Sequence, residues 1–196
     1  MNARMLSVSI LFAAHSSAGA AITVFNTYEE WAASAGEFTT IGFADLAPPP
    51  PGGFLQITDQ YAGLGMTIPD EDYALLHYNR SNFIDDWGVQ NFNNDSDMWF
   101  EFSEPIHTFS ARMANSGFDW WLYDGDELVH FIPQWITDFR GFISDEPFDR
   151  VRVMPGLGSI ITMDDIMFQT IIPAPGVLAA LAGAGLLNRG SRKRHA

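Results

Sequence analysis

Phe118-Asp-Trp-Trp-Leu-Tyr123-Asp124-Gly125-Asp-Glu-Leu128-Val-His-Phe-Ile132 is the stretch on which the fold turns. Phe118, Trp120 and Leu122 share one side of an extended chain and Trp121 and Tyr123 the other, because successive strand side chains point to opposite faces. Asp124-Gly125 is a hairpin signal between this run and 128–132. The same alternation recurs outward from it. Met98, Phe100 and Phe102 oppose Asp97, Trp99 and Glu101; Val151 and Val153 oppose Arg150 and Arg152. Runs rich in Phe, Ile, Val, Trp and Tyr, separated by Gly, Pro, Asn and Asp, cover 38–43, 54–58, 66–68, 73–78, 98–102, 106–113, 118–123, 128–132, 139–144, 150–154 and 160–168. One dry and one wetter face per strand predicts an all-β protein, its antiparallel sheets packed as a β-sandwich. No repeat of fixed period is visible.

One short helix precedes the strands. Thr27-Tyr-Glu-Glu30 fits a capping box, in which the Thr27 hydroxyl caps the helix start and Glu30 reaches back. The helix spans 28–34, with Trp31 docking it and Gly36 ending it. Four consecutive prolines within 47–53 make a stiff loop, and 79–97 reads as a long polar loop.

The chain's 24 acidic residues all lie in 21–172, where five arginines oppose them and leave a formal charge of −19. A field of that sign repels phosphate backbones and argues against nucleic-acid binding. There is no cysteine, so stability comes from packing, with a metal as a further support. This segment of about 150 residues is the size of one domain with a sizeable core.

Both ends differ from it. Arg4, the apolar run 5–14 and Ala18-Gly19-Ala20 form a signal peptide over 1–20, with a mature start near Ala21. At the other end, 173–196 joins Pro173-Ala174-Pro175 to an uncharged run, 176–187, and then to Arg189, Arg192, Lys193 and Arg194. A rigid break, a short apolar helix and a basic end make a membrane-engaging tail. The run falls short of the ~20 residues that span a bilayer unaided; Ile171, Ile172 and snorkelling arginines extend it. The basic cluster keeps the far end cytoplasmic and places the acidic body outside.

These three parts resemble the PEP-CTERM sorting signal, with Ala174 where that family most often has Glu. The resemblance implies a Gram-negative, exported cell-envelope or extracellular-matrix protein, its tail first held in the inner membrane. It implies an exosortase-type membrane protease as partner. Within the body, Thr40-Ile-Gly-Phe43-Ala-Asp45-Leu46, Ile57-Thr-Asp-Gln-Tyr61-Ala-Gly-Leu-Gly65-Met-Thr-Ile68 and Ile161-Thr-Met-Asp164-Asp165-Ile-Met-Phe168 resemble recurring phrases of such surface proteins. The last is also similar to the closing strand of jelly-roll carbohydrate-binding modules, which often hold a structural calcium there.

Candidate chemistry is sparse. Asp164 and Asp165 sit in an otherwise apolar strand, so one points inward, and a buried carboxylate needs a partner or a metal. Ca2+ fits as a hard ion seeking oxygen ligands, with Asp45 as the partner that the resemblance supplies. An arginine or a backbone turn accounts for the same pair equally well. Asn91, Asn93, Asn94, Asp95 and Asp97 read as a solvated Asx-rich turn. Trp99 and Trp121 fall on outer faces, where aromatic rings stack on sugars; core or edge packing is the competing reading. Trp87 and Trp135 lie in or beside loops. His77, His107 and His130 are isolated on separate strands, and no nucleophile motif is present. The expectation is a non-enzymatic, structural or adhesive surface protein; the alternative is a carbohydrate-binding module attaching to exopolysaccharide, and a polysaccharide-cleaving enzyme is a distant third.

Overall fold

Two long strands, β7 (Met98–Met113) and β10 (Phe139–Pro155), organise the protein. The computed structural model describes residues 21–49, 55–69, 74–78, 87–91, 96–114, 117–133, 138–156 and 160–169. The segments read from the sequence as a signal peptide, 1–20, and as a sorting motif, from Pro173 to Arg194, lie outside them. In chain order the other elements are β1 (Ile22–Phe25), α1 (Tyr28–Ala35), β2 (Thr39–Ile41), β3 (Gln56–Ile57), a 3-10 turn (Ala62–Leu64), β4 (Met66–Thr67), β5 (Ala74–Tyr78), β6 (Trp87–Asn91), β8 (Phe118–Asp124), β9 (Glu127–Ile132) and β11 (Thr162–Gln169). The described protein is all-β and antiparallel with a single α-helix.

The sheet runs β3-β5-β6-β11-β7-β10-β8-β9, with β1 added to β10, β2 to β11 and β4 to β7. Each long strand was expected as two. Each is continuous but serves two neighbourhoods. The early part of β7 pairs with the late part of β10 through Phe100↔Val151 and Trp99↔Arg152; the late part of β7 pairs with the early part of β10 through Phe109↔Phe142. Register slips between Ile143, Phe148 and Arg150 separate the two regions, as bulges do when they bend a strand. Ser103, Glu104 and Pro105 on β7 and Asp145 and Glu146 on β10 are exposed at that bend.

The bend doubles the sheet over on its apolar side. Trp120 pairs with Val153, yet its ring lies 5.3 Å from that of Phe142, far back along the same strand. Phe109 meets Trp120 at 6.0 Å and Phe102 meets Phe168 at 4.9 Å. Every residue that alternation assigned to a dry face is buried: Met98, Phe100, Phe102, Phe118, Trp120, Leu122, Val151 and Val153. Full burial of such side chains contributes about 1.5–3 kcal/mol each, and no disulfide supplements it.

Helix α1 covers the outer surface of one half. The Thr27 hydroxyl accepts from the Glu30 N–H at 3.4 Å and donates to the Glu30 carboxylate at 3.0 Å, so the capping box closes through side chains. Gly36 ends the helix at φ 78. Trp31 is fully buried and donates its indole N–H to the Phe142 carbonyl at 3.3 Å. It packs against Gly141, where any Cβ would overlap its ring. Among the described residues no helix is long and apolar enough to cross a membrane.

Three expectations change. The polar loop 79–97 contains β6, whose Gly88 approaches the Met163 carbonyl too closely to admit a Cβ. β1, unforeseen, edges β10, and just before it the Ala21 N–H donates to Asp145 Oδ1 at 2.7 Å while Asp145 N–H donates back to the Ala21 carbonyl. The β8–β9 turn centres on Gly125-Asp126, one residue later than expected, with Gly125 at φ 57.

Candidate functional site

The two sheet halves differ on their outer surfaces. One is covered by α1. The other, built from early β7, late β10, β8 and β9, carries a row of side chains in direct cross-strand register: Trp99, Arg152, Trp121 and Phe131. Beside it runs a second row, Glu101, Arg150, Tyr123 and Leu128. Phe131 and Leu128 are 47% and 43% exposed; the remaining ring and guanidinium groups are half-buried.

Arginine holds the rows together. The Arg152 guanidinium stands 5.3 Å from the Trp99 ring centre and 5.9 Å from that of Trp121. Arg150 lies 5.9 Å from Trp99 and 5.8 Å from Tyr123. Such contacts contribute about 0.5–1 kcal/mol each at exposed sites. Trp99 meets Tyr123 at 5.6 Å, and Trp121 meets Phe131 at 4.6 Å. Arg152 donates through Nε to Asp97 Oδ2 at 2.6 Å and bonds the same oxygen through Nη2. Burial alone would lower the Arg152 pKa; hydrogen bonds to Asp97 and Tyr123 outweigh it and raise it. Arg150 pairs with Asp126 at 3.0 Å. The Trp121 indole N–H is buried without a hydrogen-bond partner among the described residues, an uncommon state for such a donor.

The sequence placed Trp99 and Trp121 outward, and the structure brings both to one face. It missed Arg152 and Phe131 as their companions. Alternation assigns each residue a face, but only strand order shows that β10 separates β7 from β8 and sets an arginine between two tryptophans. Trp87, expected beside a loop, is half-buried against the core from β6; Trp135 lies outside the described residues.

The three proposed calcium ligands divide. Asp45 Oδ1 accepts from the Tyr61 hydroxyl at 2.6 Å. Burial, then that bond, then the charges of Asp45 and Asp164 push the Tyr61 phenol well above its ordinary range. Asp164 is buried and accepts the Asp165 N–H at 2.7 Å, closing a one-residue turn at the bulge opposite β7. Asp165, at φ 47, points away and pairs with Arg112 at 3.1 Å. The arginine and the backbone turn weighed from the sequence are thus both present. Among the described residues no three His, Cys, Asp or Glu side chains gather as a metal site. Of the three, Asp45 hydrogen-bonds Tyr61, and Asp164 acts on the same phenol through its charge.

The remaining polar residues serve the fold. Asn91 is buried, donating to the Ser96 carbonyl and accepting from the Ile161 N–H, both at 2.9 Å. His107 and His130 both reach Ser144, through Nδ1 to its carbonyl at 3.2 Å and Nε2 to its hydroxyl at 3.0 Å. Compared with protein-family models, curated proteins and solved structures, the chain matches none.

Proposed function

We propose that the body is a non-catalytic β-sandwich domain, jelly-roll-like, of an exported surface protein, and that it adheres to polysaccharide through its uncovered aromatic face. The observation that carries this is the Trp99–Arg152–Trp121–Phe131 row, in register across four strands on an outer face that no helix covers among the described residues. Ring faces there meet the apolar faces of sugars, and Asp97, Arg150 and Arg152 border them with donors and acceptors for hydroxyls. The −19 charge of 21–172 and the pairing of both arginines favour a neutral glycan over an anionic one. Export, retention by the tail and processing by an exosortase-type protease complete the reading and rest on 1–20 and 173–196.

Binding to a panel of insoluble and arrayed glycans tests it. Wild type retains a neutral glycan, and Trp99→Ala with Trp121→Ala weakens retention at least about tenfold, the scale of lost stacking contacts. Undiminished retention by the double variant sinks the site. A structural Ca2+ belongs to the same reading as a proposal, reduced to Asp45 and Asp164. Titration of Ca2+ into EDTA-treated protein reads it as heat and a raised melting temperature, both lost in Asp45→Asn. Neither heat nor shift removes the ion.

A further inference from the structure

At the Phe131 end of the aromatic row, a cavity of about 380 Å3 opens between β1 and β9, the free edges of the two sheet halves. Val24, Phe131, Ile132 and Pro133 give it apolar walls, and Arg140 and Asn26 line it too. Arg140 projects to the same side of β10 as the core residue Phe142 and is 2% exposed.

The charge at Arg140 is not balanced. Four arginines lie among the described residues. Arg112, Arg150 and Arg152, all partly exposed, each pair with an aspartate. Arg140, the buried one, has no carboxylate in reach among the described residues. Its Nη1 donates to Asn26 Oδ1 at 2.5 Å, while its buried Nε–H has no acceptor among the described residues. Burial lowers its pKa, but a guanidinium remains charged in proteins. A buried charge without a counter-charge is costly, and in so acidic a domain a carboxylate partner would have been easy to supply.

We propose that this cavity binds a small monocarboxylic acid with an apolar body, the carboxylate meeting the Arg140 guanidinium and the body lying against Val24, Phe131 and Ile132. Pockets of this volume suit small ligands, and few convergent polar groups fix their orientation. Carboxylate is the complement because it accepts two parallel bonds from the guanidinium edge. This goes beyond the glycan reading and does not rest on it.

The test is calorimetric titration of full-length protein with sodium hexanoate and, separately, 1-hexanol, together with the Arg140 Nε–H resonance in NMR. Hexanoate binds at least about tenfold more tightly than hexanol, the increment of a charge-assisted bond, and it shifts the Arg140 resonance. Arg140→Gln loses that preference, and Val24→Trp, which fills the cavity from a half-exposed position, abolishes binding without lowering the melting temperature. Trp99→Ala leaves hexanoate binding intact. Equal affinity for acid and alcohol, no heat up to about 10 mM, or full affinity in Val24→Trp overturns the proposal. Should Arg140→Gln fail to fold, the acid–alcohol comparison and Val24→Trp decide it.

Discussion

His130 is a buried histidine, its Nε2 3.0 Å from the Ser144 hydroxyl. Burial lowers its pKa, and the nearby Glu146 and Asp145 charges only partly restore it. The folded value therefore lies below the unfolded one, about 6.5. As pH falls, the unfolded chain takes up this proton first, so stability is complete above about 6.5 and declines as pH drops toward the folded value. Melting temperatures at pH 7.5 and 5.5 will show this as a loss on acidification that is smaller in His130→Gln. An equal loss in the variant would refute the role. At this scale much was legible. Alternation assigned Met98 and Trp99, Trp120 and Trp121, and Val151 and Arg152 to their proper faces. The counter-charges were not legible: that Asp97 serves Arg152 and that Asp165 serves Arg112 depends on strand order and on a bulge that reverses one carboxylate.

Helix α1 and the bent strands show which local signals suffice at the scale of elements. The capping box fixed the helix because all its contacts lie within four residues. β6 escaped notice because Trp-Gly-Val-Gln-Asn lacks alternation; its place is set by tertiary contact of Gly88 with Met163. The division of β7 and β10 into halves was foreseen in their composition, since Ser103, Glu104 and Pro105 interrupt one and Asp145 and Glu146 the other. Their continuity was not, because a bulge bends a strand without ending it. Docking of α1 on β10 depends on Gly141. Gly141→Ala drives a methyl group into Trp31 and should cost about 1–3 kcal/mol, read as a shifted denaturation midpoint. Trp31→Ala empties the site and should cost about 3–5 kcal/mol. If Gly141→Ala unfolds at the wild-type midpoint, the helix is not seated on that glycine.

Taken as a whole, the molecule hides one outer surface beneath a helix and leaves the other aromatic, so its two sides present different chemistry. Its charge, absence of cysteine and distinctive ends were open to reading from composition. The shared face of Trp99, Trp121 and Phe131 and the unbalanced Arg140 were not, because each arises from strands distant in the chain. The contact between Ala21 and Asp145 acquires another meaning once the ends are considered. Ala21 is where a signal peptide over 1–20 would be removed, and its nitrogen already lies 2.7 Å from a carboxylate oxygen. Before that cut the pair is an amide hydrogen bond; after it, an ammonium and a carboxylate, the stronger kind. A chain starting at Ala21 should melt higher than one carrying the preceding residues, and Asp145→Asn should erase the difference. Maturation would then act as a ratchet, the scissile event that frees the protein also tightening the edge strand it exposes.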